Sequence, residues 1–388
     1  MNTSMQPSCF ERLLELQKYY PGLQHRLAVA YNGAGRPRAA ERCFEKALAT
    51  PSKDKELTRW EYSHLLLAEG DLKCGWPLYE SRYRIEGNGR IAIHPFEYPR
   101  WQGEALADKT LLVHGEQGIG DEMMFASLIP ALITEGGKII LACHPSLVRL
   151  FATSFSECEV VPHNAVGNPT SVDHLGHIDY EVPFCSLSNW RGPFNVNDTP
   201  AKSYLKAEPA QVVAICQRLS ALNPTANKTK RVGLMWSANP ATGVDWGERR
   251  GCQKSVPIEV MAALAPLADH IQFVSLQNSD SGIQAAHAPG LDMLDFQDQL
   301  LDFADTAALA ACMDLVISVD TSVAHLLGGL GVPVWVLLKH HPDWRWLNTY
   351  DNSYWYGNAK LYRQKDKGDW DTVIKKSAPT CNIGCRRD

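Results

Sequence analysis

The sequence predicts an α/β protein with two parallel-sheet halves, preceded by a short all-helical segment. Three observations predict it. The first is the block DLVISVDTSVAHLLGGLGVPVWVLL at 314–338, which reads as strand, helix, strand. The second is a strand, TLLVH, running into the turn GEQGIGD and then an amphipathic stretch. The third is strand–helix alternation on both sides of a polar linker at 223–230, the pattern of βαβ units around a parallel sheet.

Residues 1–92 read as helices. LAVAYNGAGRPRAAERCFEKALATP has small and aromatic residues at helical spacing, a turn at Gly35 and a second amphipathic helix. A weaker copy follows, with Gly70 aligned to Gly35 and Tyr79 to Phe44. A period of about 34 residues with these landmarks resembles the tetratricopeptide repeat. Two copies are few for independent stability, so they dock on the rest of the chain, pair with another subunit, or are remnants of a longer array. They read equally as a protein-binding groove or as structural packing.

HPFEYPRWQGEALAD, from His94, is a linker. Residues 105–225 form the first α/β half. Its strands are at 110–114, 138–142, 160–162 and 180–182. A helix opened by Asp121 runs to about 134, another starts at Pro145, and Ser186 to Asn189 form a loop. A helix at 209–222 leads to the linker. Residues 230–360 form the second half, with strands at 231–236 and 271–276, a helix at 258–268, and a helix capped by Asp305 that leads into the opening block. In that block, 315–319 is an apolar β-branched strand of the doubly buried kind. Thr321 and Ser322 are helix starters, the glycines at 328, 329 and 331 stop the helix, and 332–338 is a strand. The tail, 361–388, carries a helix at 370–376.

The chain has 388 residues, a net charge of −5 and a pI near 6.2. It has no basic field for nucleic acid or an anionic membrane. The N-terminus lacks the pattern of a signal peptide, and no apolar run is long enough to span a bilayer, which predicts a cytoplasmic protein. The eleven cysteines are scattered and odd in number, which predicts free thiols. Cys381 and Cys385 are close together, but two ligands make a poor metal site.

Candidate site residues gather where strands end. Asp320, Thr321, Ser322 and His325 sit at a strand end and helix start, where open parallel sheets bind ligands and helix N–H groups suit a phosphate. The glycines of GEQGIGD, Gly118 and Gly120 among them, allow close backbone approach to a ligand; the spacing is neither the dinucleotide fingerprint nor a Walker A loop. Asp121 is an N-cap or a general base, and Glu116, beside Gln117, is the competing base. Trp236 and Asn239 follow a strand in the second half. A basic residue of ERRGCQKS, which includes Lys254, neutralises a leaving diphosphate, and Gln277 ends a strand at the same rim. No pair of carboxylates marks a metal site. Asp369 and Asp371 have D-x-D spacing but read as a helix-start pair.

From about residue 60 to 370 the chain resembles bacterial tetratricopeptide-repeat proteins carrying a glycosyltransferase domain of the ADP-heptose:lipopolysaccharide heptosyltransferase type. The segments that carry the resemblance are GDLKCGWPLYESRY, PRWQGEALADKTLLVHGEQGIGDEMMFA, VGLMWSANP, FVSLQ, DTAALAACMDLVISVDTSVAHLLGGLGVPVWVLL and PDWRWL, with Trp355 and Tyr356. The resemblance implies a GT-B fold, two Rossmann-like domains facing a cleft, with a helix of the tail crossing back. It implies a donor site on the second half, made by Asp320, Thr321, Ser322, His325, Trp236, Asn239 and Lys254, and a base, Asp121, reached through Gly120. Asp343 to Trp346 is a landmark of this family with no role evident in the sequence. The implied activity is inverting, metal-independent transfer of a sugar from a nucleotide-diphosphate sugar to a glycan or protein, with no further cofactor. The alternatives are a repeat-based interaction scaffold with an inactive transferase half, and a sugar-nucleotide epimerase or hydrolase.

Overall fold

The computed structural model describes residues 7–8, 11–12, 22–85, 87, 96–163, 175–198, 203–223, 228, 230–238, 254–277 and 290–377. Asn239, Cys381, Cys385 and the loop before Lys254 lie outside these residues.

The N-terminal segment is two pairs of helices, Leu23–Gly33 with Pro37–Ala49 and Lys55–Glu69 with Leu72–Tyr79. The aligned glycines do the same work. Gly35 has φ 67° and Gly70 has φ 87°, a left-handed conformation that ends each leading helix at little steric cost. Phe44 and Tyr79 are both buried.

This segment is not a free-standing module. Arg82, just past its last helix, is fully buried and clasps Glu116 of the first α/β half with N–O distances of 2.7 and 3.2 Å. Trp76 packs edge-on against Trp344, Trp355 and Phe125, and its indole N–H donates to the carbonyl of Pro193 at 2.9 Å. On the second half, Asn348 donates from its backbone to Ala68 O at 3.0 Å and from its side chain to Glu69 at 2.7 Å. The helices thus bridge both halves.

The first half has a four-stranded parallel sheet of order β3-β2-β1-β4, with β1 Thr110–His114, β2 Lys138–Cys143, β3 Glu159–Pro162 and β4 Tyr180–Pro183. The second has a six-stranded parallel sheet of order β10-β9-β8-β5-β6-β7, with β5 Lys230–Met235, β6 Ile271–Ser275, β7 Met293–Leu294, β8 Leu315–Val319, β9 Val334–Leu338 and β10 Ala359–Arg363. The protein is therefore mixed α/β with two parallel sheets, as predicted. β1 matches its predicted bounds, and β8 does too.

Several elements differ. The helix opened by the GEQGIGD turn is Ile119–Phe125, and a 3-10 turn separates it from Ile129–Ile133, where Pro130 lacks the N–H a continuous helix would use. The predicted helix at 258–268 is Ile258–Met261 followed by a 3-10 stretch, Ala262–Leu267, that contains Pro266. The predicted loop at Ser186 to Asn189 is helical, because Phe184, Cys185, Ser186 and Leu187 are all buried. Asp302, not Asp305, is the N-cap of helix Phe303–Ala310. Its side chain accepts from Ala304 and Asp305 N–H, while Asp305 returns the bond as the third residue of a capping box. The short edge strands β7 and β10 escape the sequence altogether. Helix Trp370–Ser377 has Asp369 as the acceptor at its start, as expected. It packs on the second half through Trp370, Val373 and Ile374, so it does not make the expected crossing back.

The prediction of free thiols fails at one pair. Cys216 and Cys312 form a disulfide, 96 residues apart in sequence, with Cα atoms 5.8 Å apart. Helices Pro209–Ala221 and Phe303–Ala310 pack side by side and bring them together, a proximity no sequence spacing reveals. Among the described residues, no helix is long and apolar enough to cross a membrane.

Candidate active site

β5 and β8 are neighbours in the second sheet although two strands, β6 and β7, lie between them in the chain, so the strand order reverses there. The carboxyl end of such a switch point is where open α/β sheets hold ligands. β5 delivers Trp236, Ser237 and Ala238; β8 delivers Asp320. Helix Ser322–Leu330 starts at this rim. Helix Ile119–Phe125 of the first half packs against it. The halves approach so closely that a Cβ on Gly120 would sit 3.0 Å from His325 Cδ2 and 3.4 Å from Ser322 Cα. Glycine is needed there for the close approach of two helix starts.

A line of charge runs across this junction. Lys254 Nζ lies 2.6 Å from Asp320 Oδ2. The Trp346 indole N–H donates to Asp320 Oδ1 at 2.8 Å. Asp343 accepts from Arg345 Nη1 at 2.6 Å and from the Arg345 backbone at 3.2 Å. The other terminal nitrogen of Arg345 pairs with Asp121, the carboxylate of the opposite half. Asp121 also accepts from Gly118 N–H at 3.0 Å, but as the third residue of helix Ile119–Phe125; the N-cap is Gly118, not Asp121 as expected. The Arg345 guanidinium lies over Trp344, 4.3 Å from the ring centre.

Burial by itself raises the pKa of Asp320, but the adjacent Lys254 ammonium outweighs it and holds the carboxyl below the usual range. Burial likewise opposes the charge on Lys254, and Asp320 reverses that and raises its pKa. Asp343 is held low against its own burial by Arg345 and Lys254. His325 has no such cation-stabilising neighbour strong enough. Burial presses its pKa down to about 4, so the ring is neutral near pH 7. Its Nδ1 and the Tyr356 hydroxyl are 2.9 Å apart.

A cleft of about 980 Å³ opens onto this line of charge. Gln117, Lys254, Asp320, Asp343 and Arg345 face it. The helical segment supplies its far wall, from Asn32 to Gly35 and at Trp60, His64 and Ala68. Of the residues singled out in the sequence, Gln117, Lys254 and Asp320 line the cleft. Others stand behind it. Glu116 is buried and taken up by Arg82 and Tyr83, so it does not compete as a base. Gln277 is buried and clamps the β5 loop, accepting from Ser237 N–H at 3.2 Å and donating to Ser237 O at 3.1 Å. Trp236 is buried in the core of the second half, and the Thr321 hydroxyl is buried with no hydrogen-bond partner among the described residues. Gly118 caps helix Ile119–Phe125.

Sequence reading missed Arg345, Asp343, Trp346 and Tyr356 as site residues. The signal was present in PDWRWL: an Arg and an Asp set among tryptophans are ionic groups carried into an aromatic, water-poor surrounding. Among the described residues, no group of three or more His, Cys, Asp or Glu side chains is placed to hold a metal ion.

No family model matches the chain. It is 27% identical over 397 residues to protein FlbA of Caulobacter vibrioides, a match covering 95% of this chain and 62% of that protein. The chain thus spans less than two thirds of the length of this relative. Among solved structures it is similar to a glycosyl transferase of family 9 from Veillonella parvula, with a TM-score of 0.48 and 12% identity over 71% of this chain and 91% of that one. It is also similar to ADP-heptose lps heptosyltransferase II of E. coli, with a TM-score of 0.46 and 13% identity over 71% of this chain and 99% of that one.

Proposed function

We propose that this chain is a glycosyltransferase of GT-B type that takes a sugar from a nucleotide-diphosphate sugar, held by the second half, and transfers it with inversion to a glycan or protein acceptor facing the first. The observation that carries the reading is that Lys254 and Arg345 line the cleft and that Arg345 in turn pairs with Asp121 of the first half. Two cations suited to a diphosphate from the second half thus adjoin one carboxylate suited to a hydroxyl proton from the first, beside the start of helix Ser322–Leu330. The motif resemblance of the sequence supports the same assignment.

The chemistry follows from these roles. The Asp121 carboxylate takes the proton of the acceptor hydroxyl. The hydroxyl oxygen bonds to the anomeric carbon from the face opposite the leaving group, and the bond from that carbon to the phosphate oxygen breaks. The electron pair leaves with the nucleoside diphosphate, whose added negative charge is met by Lys254, Arg345 and the free N–H groups of helix Ser322–Leu330. No metal and no further cofactor enters this scheme. Neutral His325 serves by packing and hydrogen bonding, not by charge.

The test is a thermal-shift panel of ADP, GDP, UDP and dTDP and their sugar conjugates, without added metal. A ligand at about 100 times its Kd stabilises a fold by about 2.7 kcal/mol, which is readily seen. We expect one nucleotide family to shift the melting point, and Lys254→Ala to weaken that nucleotide by about tenfold to a hundredfold, the range for a lost charged hydrogen bond. Silence across the panel from the folded protein overturns the reading and favours an interaction scaffold.

A further inference from the structure

Arg345 stands in a chemical conflict that the reaction scheme leaves unresolved. It faces the cleft beside Lys254, where a diphosphate belongs. Yet its guanidinium is bound on one terminal nitrogen by Asp343 and on the other by Asp121, the carboxylate that has to accept a proton. The carboxylate oxygen that Arg345 engages is occupied and so is not open to an acceptor hydroxyl. Asp343 is local, two residues away on the same loop. Asp121 is 224 residues away and belongs to the other half. Those two bonds therefore differ in what they do: one shapes the 343–346 loop, the other ties the halves together across the reacting centre.

We propose that Arg345 couples donor binding to the base: the donor diphosphate competes with Asp121 for the Arg345 guanidinium and, in taking it over, frees the Asp121 carboxylate to accept the acceptor proton. The inference rests on the reading of the cleft as a donor site. The guanidinium fork matches a phosphate as well as a carboxylate, and a diphosphate brings more charge than one aspartate, so the exchange is downhill. Asp343 keeps its bond throughout and holds the side chain in place. The donor therefore binds first, and the base is uncovered only when there is a sugar to transfer, which protects the donor from loss to water.

Competition for one cation has a measurable counterpart. Two ligands that exclude each other from a group weaken each other equally. Removing the Asp121 charge must tighten the nucleoside diphosphate, the reverse of what the loss of an ordinary site residue does. Binding of ADP, GDP, UDP and dTDP is measured by calorimetry on the full chain and on Asp121→Asn, with Asp121→Ser as a second variant that keeps a helix-capping oxygen. The expected result is a nucleotide that binds the variant at least about fivefold more tightly than wild type, the lower range of site-to-site coupling. The gain must vanish in the Arg345→Gln background, because a gain from the general removal of negative charge would persist there. If the wild-type protein binds a nucleotide and Asp121→Asn binds it equally or less tightly, the coupling is overturned while the donor site stands. If the gain persists in Arg345→Gln, Arg345 is not its carrier and the proposal fails. If no protein binds any nucleotide, the donor-site reading falls and the coupling with it.

Discussion

His325 and Trp346 lie face to face, with ring centres 5.2 Å apart and planes inclined by 17°. Trp346 spends its N–H on Asp320, and His325 spends Nδ1 on Tyr356. One aromatic stack therefore joins helix Ser322–Leu330 to the 343–346 loop and fixes the carboxylate that holds Lys254.

The stack sets a pH dependence. Burial lowers the His325 pKa from an unfolded value of 6.5 to about 4. The unfolded chain binds this proton more readily than the folded one, so the contribution to stability is complete above pH 6.5 and is lost as pH falls through the window down to about 4. In melting curves taken from pH 7.5 to 4, His325→Asn should show a shallower fall than wild type within that window and a parallel course above it. Parallel curves throughout would mean that His325 is not desolvated.

Arg82 and Glu116 are both buried and bonded twice, and they join the helical segment to the first sheet. Removing Arg82 strands the Glu116 charge out of water, at a cost of about 3–5 kcal/mol, whereas loss of Glu116 leaves Arg82 its second pair with Glu80 at 2.7 Å. Arg82→Met should therefore lower the urea midpoint steeply. A loss below about 1 kcal/mol would be the signature of a solvated pair.

Gly328 lies on the buried side of helix Ser322–Leu330, where a Cβ would come within 2.4 Å of the Tyr356 ring. A ring atom fixed in a packed core cannot step aside as a flexible side-chain end can. Gly328→Ala should cost about 1–3 kcal/mol, as overpacking does. It should also push Tyr356 off His325 and, under the proposed function, reduce the melting-point shift that the nucleotide gives.

The Cys216–Cys312 disulfide closes a long loop across the second half. Its removal should cost about 2–4 kcal/mol. Reductant should lower the melting point of the oxidised wild-type protein to that of Cys216→Ser and leave the variant unmoved. Equal melting points with and without reductant would show that the bond carries no stability.

Much of the scaffold was legible. The apolar run at 315–319 and the TLLVH strand could only be buried parallel strands, and the polar residues after each could only lie at their carboxyl ends. Gly35 and Gly70 marked helix ends because each position needs a positive φ. What stayed hidden depended on partners far away in the chain. Glu116 looked like a cleft carboxylate because nothing near it in sequence announces Arg82. The β7 and β10 strands are short edges, whose pairing comes from a neighbouring strand and not from their own pattern.

The sequence by itself determined the two parallel sheets, the helical preface and the location of Asp121 and Asp320 after strand ends, because periodicity and turn chemistry are local. Only the tertiary structure decided which charges meet. Ion pairing depends on distance in space, and Arg345 reaches Asp121 solely because helices Ile119–Phe125 and Ser322–Leu330 pack start to start, with Gly120 leaving room for His325. The same packing merged the helical segment into the walls of the cleft, since Trp76 and Trp344 find a common core only once both halves are folded.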